Sequence, residues 1–295
     1  MHHLVIQRHT TALSQESLDH LCHLAAPASL EKFADDSDPH RGHNVARLRD
    51  IRSAGPGMRR ALDAYCREHH IDWAIVPAGL RLSDFKLLAM DMDSTLINIE
   101  TVDEIGAAVG KKDEIAAITA AAMRGEIADY ATSLRQRVAL LRGVPLAALD
   151  KLYTDTLRLN PGAETLLAAV KAAGLKTQLV TGGFTHFTDR LKQRLGFDRV
   201  AANMLGVDVE GDALDGTLVG DIIDGQAKKK AVLAFCDDLG CDPGEVLVIG
   251  DGANDLPMMH AVGFSVAYHA KPRVREAATA AIDHGGLDSL LHWFE

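Results

Sequence analysis

Over residues 1–83, short runs that alternate apolar and polar positions take turns with stretches whose apolar residues recur every three or four. Leu4-Val5-Ile6-Gln7 predicts a short strand, and Glu16 to Leu24, with Leu18, Leu21 and Leu24 at helical spacing, predicts a helix. Ser29 to Phe33 and Val45 to Ile51 predict two strands, Gly57 to His69 a second helix, and Asp72 to Pro77 a last strand. The order β-α-β-β-α-β predicts a small ferredoxin-like α+β module over residues 1–83. Asp35-Asp36-Ser37-Asp38-Pro39-His40-Arg41-Gly42 has the composition of a loop.

After a link at Leu80 to Lys86 the pattern changes. Leu87 to Met90, Leu175 to Val180 and Val246 to Ile249 are apolar runs without alternation, as expected of strands buried on both faces. Helical stretches lie between them: Pro161 to Ala173, stopped by Gly174, and Lys228 to Leu239, stopped by Gly240. Residues 84–295 therefore read as an α/β unit with a mostly parallel, doubly wound sheet. Two segments interrupt it. Thr101 to Leu157 is helical in pattern with no strand candidate, which predicts a helical cap inserted over 99–158. Met204 to Ile223, rich in Gly and Asp, predicts an antiparallel hairpin.

Composition narrows the classes. The chain has 295 residues, 47% hydrophobic and 24% charged, an ordinary balance for a globular protein. No apolar run approaches the roughly 20 residues that span a bilayer, and Met1 to Gln7 lacks the long apolar stretch of a secretory signal. A cytoplasmic location without membrane association is the expectation. A formal net charge of −10 argues against a nucleic-acid partner, and requires an anionic substrate to meet local positive groups. Cys22, Cys66, Cys236 and Cys241 form no Cys-x-x-Cys pair, so free thiols are expected rather than a zinc site. His2, His3, His269 and His284 lack ligand spacing and read as surface residues; Trp73 and Trp293 read as packing residues.

Four strings carry chemistry. Met90-Asp91-Met92-Asp93-Ser94-Thr95-Leu96 puts two carboxylates just past a buried strand, where open α/β sheets bind ligands. Alone, such a pair is also ordinary turn chemistry. Val248-Ile249-Gly250-Asp251-Gly252-Ala253-Asn254-Asp255 follows another strand and brings two more carboxylates to the same rim. Four such groups repel unless a hard cation sits among them, and all-oxygen ligands favour Mg²⁺. Thr181-Gly182-Gly183 offers a hydroxyl and backbone N–H groups to a phosphate, or is a plain turn. Lys228-Lys229-Lys230 is either a solvated face or the source of one lysine that neutralises a phosphoryl oxygen.

In order and placement the four strings resemble the haloacid dehalogenase superfamily of phosphohydrolases. The resemblance implies that Asp91 is the nucleophile and Asp93 the acid and base. It implies that Mg²⁺ is held by the Asp91 side chain, the Asp93 backbone carbonyl and Asp251, with Asp255 in support. It gives the phosphoryl group to Thr181, Gly182, Gly183, Asn254 and Lys228, with Lys230 the alternative lysine. Within the insertion, Glu100 with Val102-Asp103-Glu104-Ile105, Met123-Arg124-Gly125-Glu126 and Ser133-Leu134-Arg135-Gln136-Arg137 resemble the cap of phosphoserine phosphatases. There a glutamate binds the amino group and an arginine the carboxylate, which implies Glu100 and Arg137 here, with Met123 shielding the pocket. Thr181 departs from the serine common in relatives but keeps the hydroxyl. The small leading module resembles a small-molecule-sensing ACT domain, which implies serine sensing; the competing reading is a structural or dimerising module, with a homodimer as the assembly.

The expected function is hydrolysis of the small molecule O-phosphoserine through an aspartyl-phosphate. Three other readings stay open on the sequence: phosphotransfer from phosphoserine to an alcohol such as homoserine, hydrolysis of another small phosphomonoester, and non-catalytic ligand binding.

Overall fold

In the computed structural model, residues 1–33, 44–52 and 55–295 are described. The acidic loop expected at 35–42 lies outside them. The leading module runs β1 (His2–Gln7), α1 (Gln15–Ala25), β2 (Ser29–Phe33), β3 (Val45–Arg49), α2 (Pro56–Glu68) and β4 (Asp72–Pro77). Its sheet has the order β2-β3-β1-β4, with antiparallel neighbours throughout, as the ferredoxin-like reading expects.

Strand alternation gives this sheet two faces with different partners. Leu4, Ile6, Ala46, Leu48 and Ile75 pack beneath Leu18, Leu21, Leu62 and Cys66 of the two helices. Val5, Val45, Ala74 and Val76 point the other way, into one apolar cluster with Phe85, Phe264, Trp293 and Phe294. The module is thus docked on the rest of the chain by its open face. Polar contacts fix the seam. Asp72, fully buried, accepts from the Asp283, His284 and Gly285 N–H groups and pairs with His9 at 2.8 Å. Arg47 donates to the carbonyls of His292 and Phe294. His3, expected at the surface, is buried in this seam. Its Nδ1 accepts from the Asp50 N–H, and its Nε2 lies 3.3 Å from Glu295.

The second unit follows as β5 (Leu87–Met90), α3 (Thr101–Ala108), α4 (Lys112–Met123), α5 (Tyr130–Ala139), α6 (Leu146–Lys151), α7 (Ala163–Ala172), β6 (Lys176–Phe184), α8 (Thr185–Leu195), β7 (Arg199–Val207), β8 (Leu214–Val219), α9 (Gly225–Asp238), β9 (Val246–Gly250), α10 (Leu256–Met259), β10 (Phe264–Tyr268), α11 (Pro272–Ala277) and β11 (Ala280–Ile282). The sheet order is β11-β10-β9-β5-β6-β7-β8, parallel except for the β7–β8 hairpin. Helices α3 to α6 form the expected cap. Its neck is closed where Ile97 bridges Leu159 and the Asn98 N–H donates to Arg158. Among the described residues no helix is long and apolar enough to cross a membrane.

The register places the site. Met90 pairs with Leu179 on one side and Ile249 on the other. The chains that leave these three neighbouring strands therefore emerge together at the carboxyl rim, carrying Asp91, Thr181 and Asp251. Position β6 differs from expectation: the strand continues through Thr181-Gly182-Gly183 to Phe184, with a register shift between Val180 and Phe184, instead of ending in a turn.

Candidate active site

Past β5 the chain makes a tight π-type turn over Met92–Leu96 in which Ser94 takes φ 56. A non-glycine residue there is strained, and surrounding contacts must hold it. Asn160 Nδ2 does so from the far side of the cap neck, donating to the carbonyls of Thr95 at 2.8 Å, Ile97 at 3.2 Å and Ser94 at 3.4 Å. Thr95 Oγ1, fully buried, donates to Asp251 Oδ1 at 3.0 Å and ties this turn to the one after β9.

Asp91 and Asp93 face different surroundings. Asp91 Oδ1 accepts from the Met92 N–H at 2.7 Å, and its Oδ2 lies 2.8 Å from Lys228 Nζ. Asp93 turns towards the cap: Thr101 Oγ1 donates to its Oδ2 at 3.0 Å, and its buried Oδ1 has no hydrogen-bond partner. Burial, with the nearby Glu100 and Asp91 carboxylates, raises the Asp93 pKa well above the ordinary carboxylate range; the Thr101 bond only partly opposes this.

Lys228 is fully buried in the first turn of α9, whose N-cap Asp224 accepts from the Ala227 N–H at 2.8 Å. Its Nζ bridges Asp91 and Asp255, each at 2.8 Å. Burial alone would strip its proton, but the two carboxylates hold it and raise its pKa. Lys230, two positions on and about 200° around the helix, is exposed. One carboxylate oxygen from each of Asp91, Asp251 and Asp255 falls within 4.8 Å of the others. Asp255 is already committed: Oδ1 to Lys228, and Oδ2 to the N–H groups of Asp251 and Gly252. It shapes the cluster, while Asp91, with one contact on each oxygen, and Asp251, with one on Oδ1 from Thr95, keep lone pairs that could ligate a cation. Burial first, then the Asp91 and Asp255 charges, push the Asp251 carboxyl up to about 7. A carboxylate cluster with more negative charge than its one lysine offsets, and only oxygen donors, fits a hard divalent ion such as Mg²⁺.

The Thr181 hydroxyl is buried and accepts from the Gly183 N–H at 2.9 Å, which leaves its own proton to point elsewhere. The two glycines have steric reasons. A Cβ on Gly183 would lie 2.6 Å from Met92 Cε and 3.0 Å from Asp93 Oδ2, and one on Gly182 would lie 2.0 Å from the Tyr130 hydroxyl. Asn254 lies in the turn after β9, its backbone carbonyl against Gly225 at the start of α9.

From the cap, Glu100 stands at the N-terminus of α3 and Arg137 on α5. Glu100 Oε1 accepts from Ser94 Oγ at 2.7 Å. Met123, expected to shield the pocket, is 68% exposed at the end of α4. The residue that reaches the rim is Tyr130, whose hydroxyl donates to the Gly182 carbonyl at 3.4 Å. Burial pushes its hydroxyl up to about 12, so it remains a neutral donor. It precedes Arg137 by seven residues, two turns of one helix face, a spacing visible in the sequence.

Comparison with known proteins agrees with this geometry. A family model described as haloacid dehalogenase-like hydrolase matches residues 85–263. A phosphoserine phosphatase of Polaromonas sp. strain JS666 is 60% identical over 74% of this chain and 93% of its own length. A crystal structure of a HAD family hydrolase from Salmonella enterica serovar Typhi superposes with a TM-score of 0.89 at 30% identity, over 100% of this chain and 99% of that one. A substrate-bound phosphoserine phosphatase complex superposes with a TM-score of 0.66 at 33% identity, over 72% of this chain and 99% of its own. Matched by that family model over residues 85–263 and 60% identical to a relative covered over 93% of its length, this chain belongs to the haloacid dehalogenase-like hydrolases.

Proposed function

We propose that this protein hydrolyses O-phosphoserine to serine and phosphate, with Asp91 as nucleophile and Asp93 as general acid and base. The observation that carries the reading is the different orientation of two carboxylates two residues apart. Asp91 is held by Lys228 at 2.8 Å, while Asp93 turns to Thr101 and keeps one buried oxygen unpaired. Neighbouring carboxyl groups in unlike surroundings can take unlike roles.

Lys228, the Thr181 hydroxyl and the N–H groups around Gly182 and Gly183 hold the phosphoryl oxygens, with Asn254 beside them. Glu100 takes the substrate ammonium, and Arg137 its carboxylate, a pairing suited to a planar guanidinium. An oxygen of Asp91 attacks phosphorus. The bond to the serine oxygen breaks, and protonated Asp93 gives that oxygen its proton. The Asp93 carboxylate then takes a proton from water as the water oxygen attacks the aspartyl-phosphate. Phosphate leaves, and Asp91 and the Asp93 proton are restored. Mg²⁺, which Asp91, the Asp93 backbone carbonyl and Asp251 would hold, supplies the positive charge that lets one anion approach another.

The test is a substrate panel with Mg²⁺: phosphoserine, phosphothreonine, sugar phosphates and p-nitrophenyl phosphate. Phosphoserine should give the highest kcat/KM, and Asp91→Asn should abolish turnover; near-normal turnover in that variant removes the assigned nucleophile. Arg137→Ala should raise KM for phosphoserine far more than for p-nitrophenyl phosphate, and equal effects exclude Arg137 from recognition.

A further inference from the structure

The cap holds a group of charges that do not pair. Glu100 and Asp103 lie three residues apart at the start of α3, on one side of the helix. Arg137 on α5 is within electrostatic range of both. Opposite charges so placed ordinarily close into contact. Here the guanidinium Nε makes only a long 3.4 Å bond to the Ser133 carbonyl of its own helix, and Glu100 is occupied by the Ser94 hydroxyl. Asp103 Oδ1 is buried and has no hydrogen-bond partner.

An aspartate in the first helical turn usually caps a free backbone N–H, or faces water and favours the helix dipole. Asp103 Oδ1 does neither. A buried carboxylate oxygen without a donor is costly, and marks a place where a donor is missing. Two carboxylates and one guanidinium that stay in electrostatic range without closing into ion pairs match a zwitterion: its ammonium would meet the carboxylates, and its carboxylate the guanidinium. Burial holds the Asp103 carboxyl above its ordinary range, and Arg137 and Lys112 draw it down without either closing a contact on it.

We propose that Asp103 is a second carboxylate of the head-group pocket and, with Glu100, binds the ammonium of an amino-acid phosphomonoester. This rests on the function proposed above. An ammonium has three N–H donors, so two carboxylate acceptors are within its capacity. Asp103 then sets specificity for zwitterionic substrates over those that carry a carboxylate alone.

The experiment compares wild type with Asp103→Asn on four ligands. Phosphoserine carries both groups, phosphoethanolamine only the ammonium, 2-phosphoglycolate only the carboxylate, and p-nitrophenyl phosphate neither. Affinity is read as KM, or as competitive Ki against p-nitrophenyl phosphate for slow substrates. The expected result is a weakening on the order of tenfold for the two ammonium-bearing ligands, as for one lost charge-assisted hydrogen bond. The other two should change by less than about twofold, and Asp103→Glu should keep most of the discrimination. A parallel loss for phosphoserine and 2-phosphoglycolate, with phosphoethanolamine spared, makes Asp103 only an orienter of Arg137 and overturns the inference. So does an equal change, or none, across all four ligands. If Asp103→Asn loses its fold, Asp103→Ser supports the same comparison. A wild-type enzyme active on p-nitrophenyl phosphate but not on phosphoserine overturns the function itself, and the inference with it.

Discussion

Lys228 gives the sharpest test of the rim electrostatics. It is fully buried, and its ammonium is 2.8 Å from both Asp91 and Asp255. At an effective dielectric of 20, each contact contributes about 6 kcal/mol before the ammonium's desolvation is charged against it. Lys228→Met keeps most of the volume, so no large cavity term enters, but it leaves the carboxylates of Asp91, Asp251 and Asp255 buried together without a cation. Breaking a buried pair in this way costs about 3–5 kcal/mol, or roughly 5–8 °C in Tm for a chain of this length. Asp91→Asn is the contrasting variant. It removes one 2.8 Å attraction, but also two repulsions within a cluster 4.8 Å across, each about 3.5 kcal/mol on the same basis. These nearly cancel, so this variant should stay within about 1 kcal/mol of wild type or exceed it. The assay is thermal and urea unfolding at pH 7.5 in EDTA, at low salt. A Lys228→Met protein as stable as wild type, or an Asp91→Asn protein equally damaged, would refute this account of the rim.

Two further predictions concern more distant supports. Asn160→Ala frees the carbonyls of Thr95 and Ile97 that hold the strained turn, so kcat should fall about 10- to 100-fold with KM changed little; steady-state kinetics check it, and a loss confined to KM contradicts it. Asp72 is buried, yet His9 and the Asp283 and Gly285 N–H groups outweigh that burial and hold its pKa below the ordinary 3.8. The unfolded chain therefore takes up the proton first as pH falls, and the stabilisation is full above about pH 4 and lost below it. Asp72→Asn should lower stability by about 3 kcal/mol at pH 7, with the gap narrowing towards pH 3; a gap constant across that range in Tm measurements contradicts the assignment.

The sequence marked groups that act near their own position in the chain. Asp91 and Asp93 follow an apolar run, and the periodicity of α9 explains why Lys228 points inward while Lys230, about 200° around, does not. Residues that act across the fold left no such trace. Asn160 holds a turn 65 residues earlier through its side chain, and Thr95 reaches Asp251, 156 residues later. No local periodicity records a bond of that span. His3 was misread for a similar reason: it alternates out of β1 into a seam formed with Glu295, from the opposite end of the chain. Thr181-Gly182-Gly183 admits a plain turn beside the phosphate cradle, because two glycines commonly make one. In the fold they are needed for space, beside Asp93 and Tyr130, and the backbone there stays in the strand.

The rim and the cap treat charge in opposite ways, and the reason lies in their scaffolds. At the rim, parallel strands in fixed register bring Asp91 and Asp251 together whatever their repulsion, and Asp255 joins through the turn after β9. One buried lysine offsets one of three charges. The remainder is met in part by protonation, with the Asp251 carboxyl pushed up to about 7. A phosphoryl dianion arriving at this surface would add repulsion faster than Lys228 could relieve it, so the rim can accept one only together with a further dication. The cap carries a smaller excess, two carboxylates against the one guanidinium of Arg137. Its helices keep Glu100, Asp103 and Arg137 separate, and a zwitterion supplies both missing partners without altering their net charge. A substrate that joins a phosphoryl group to an amino-acid head therefore answers both demands in one molecule: its dianionic end requires the loaded rim, and its neutral end fits the unpaired cap.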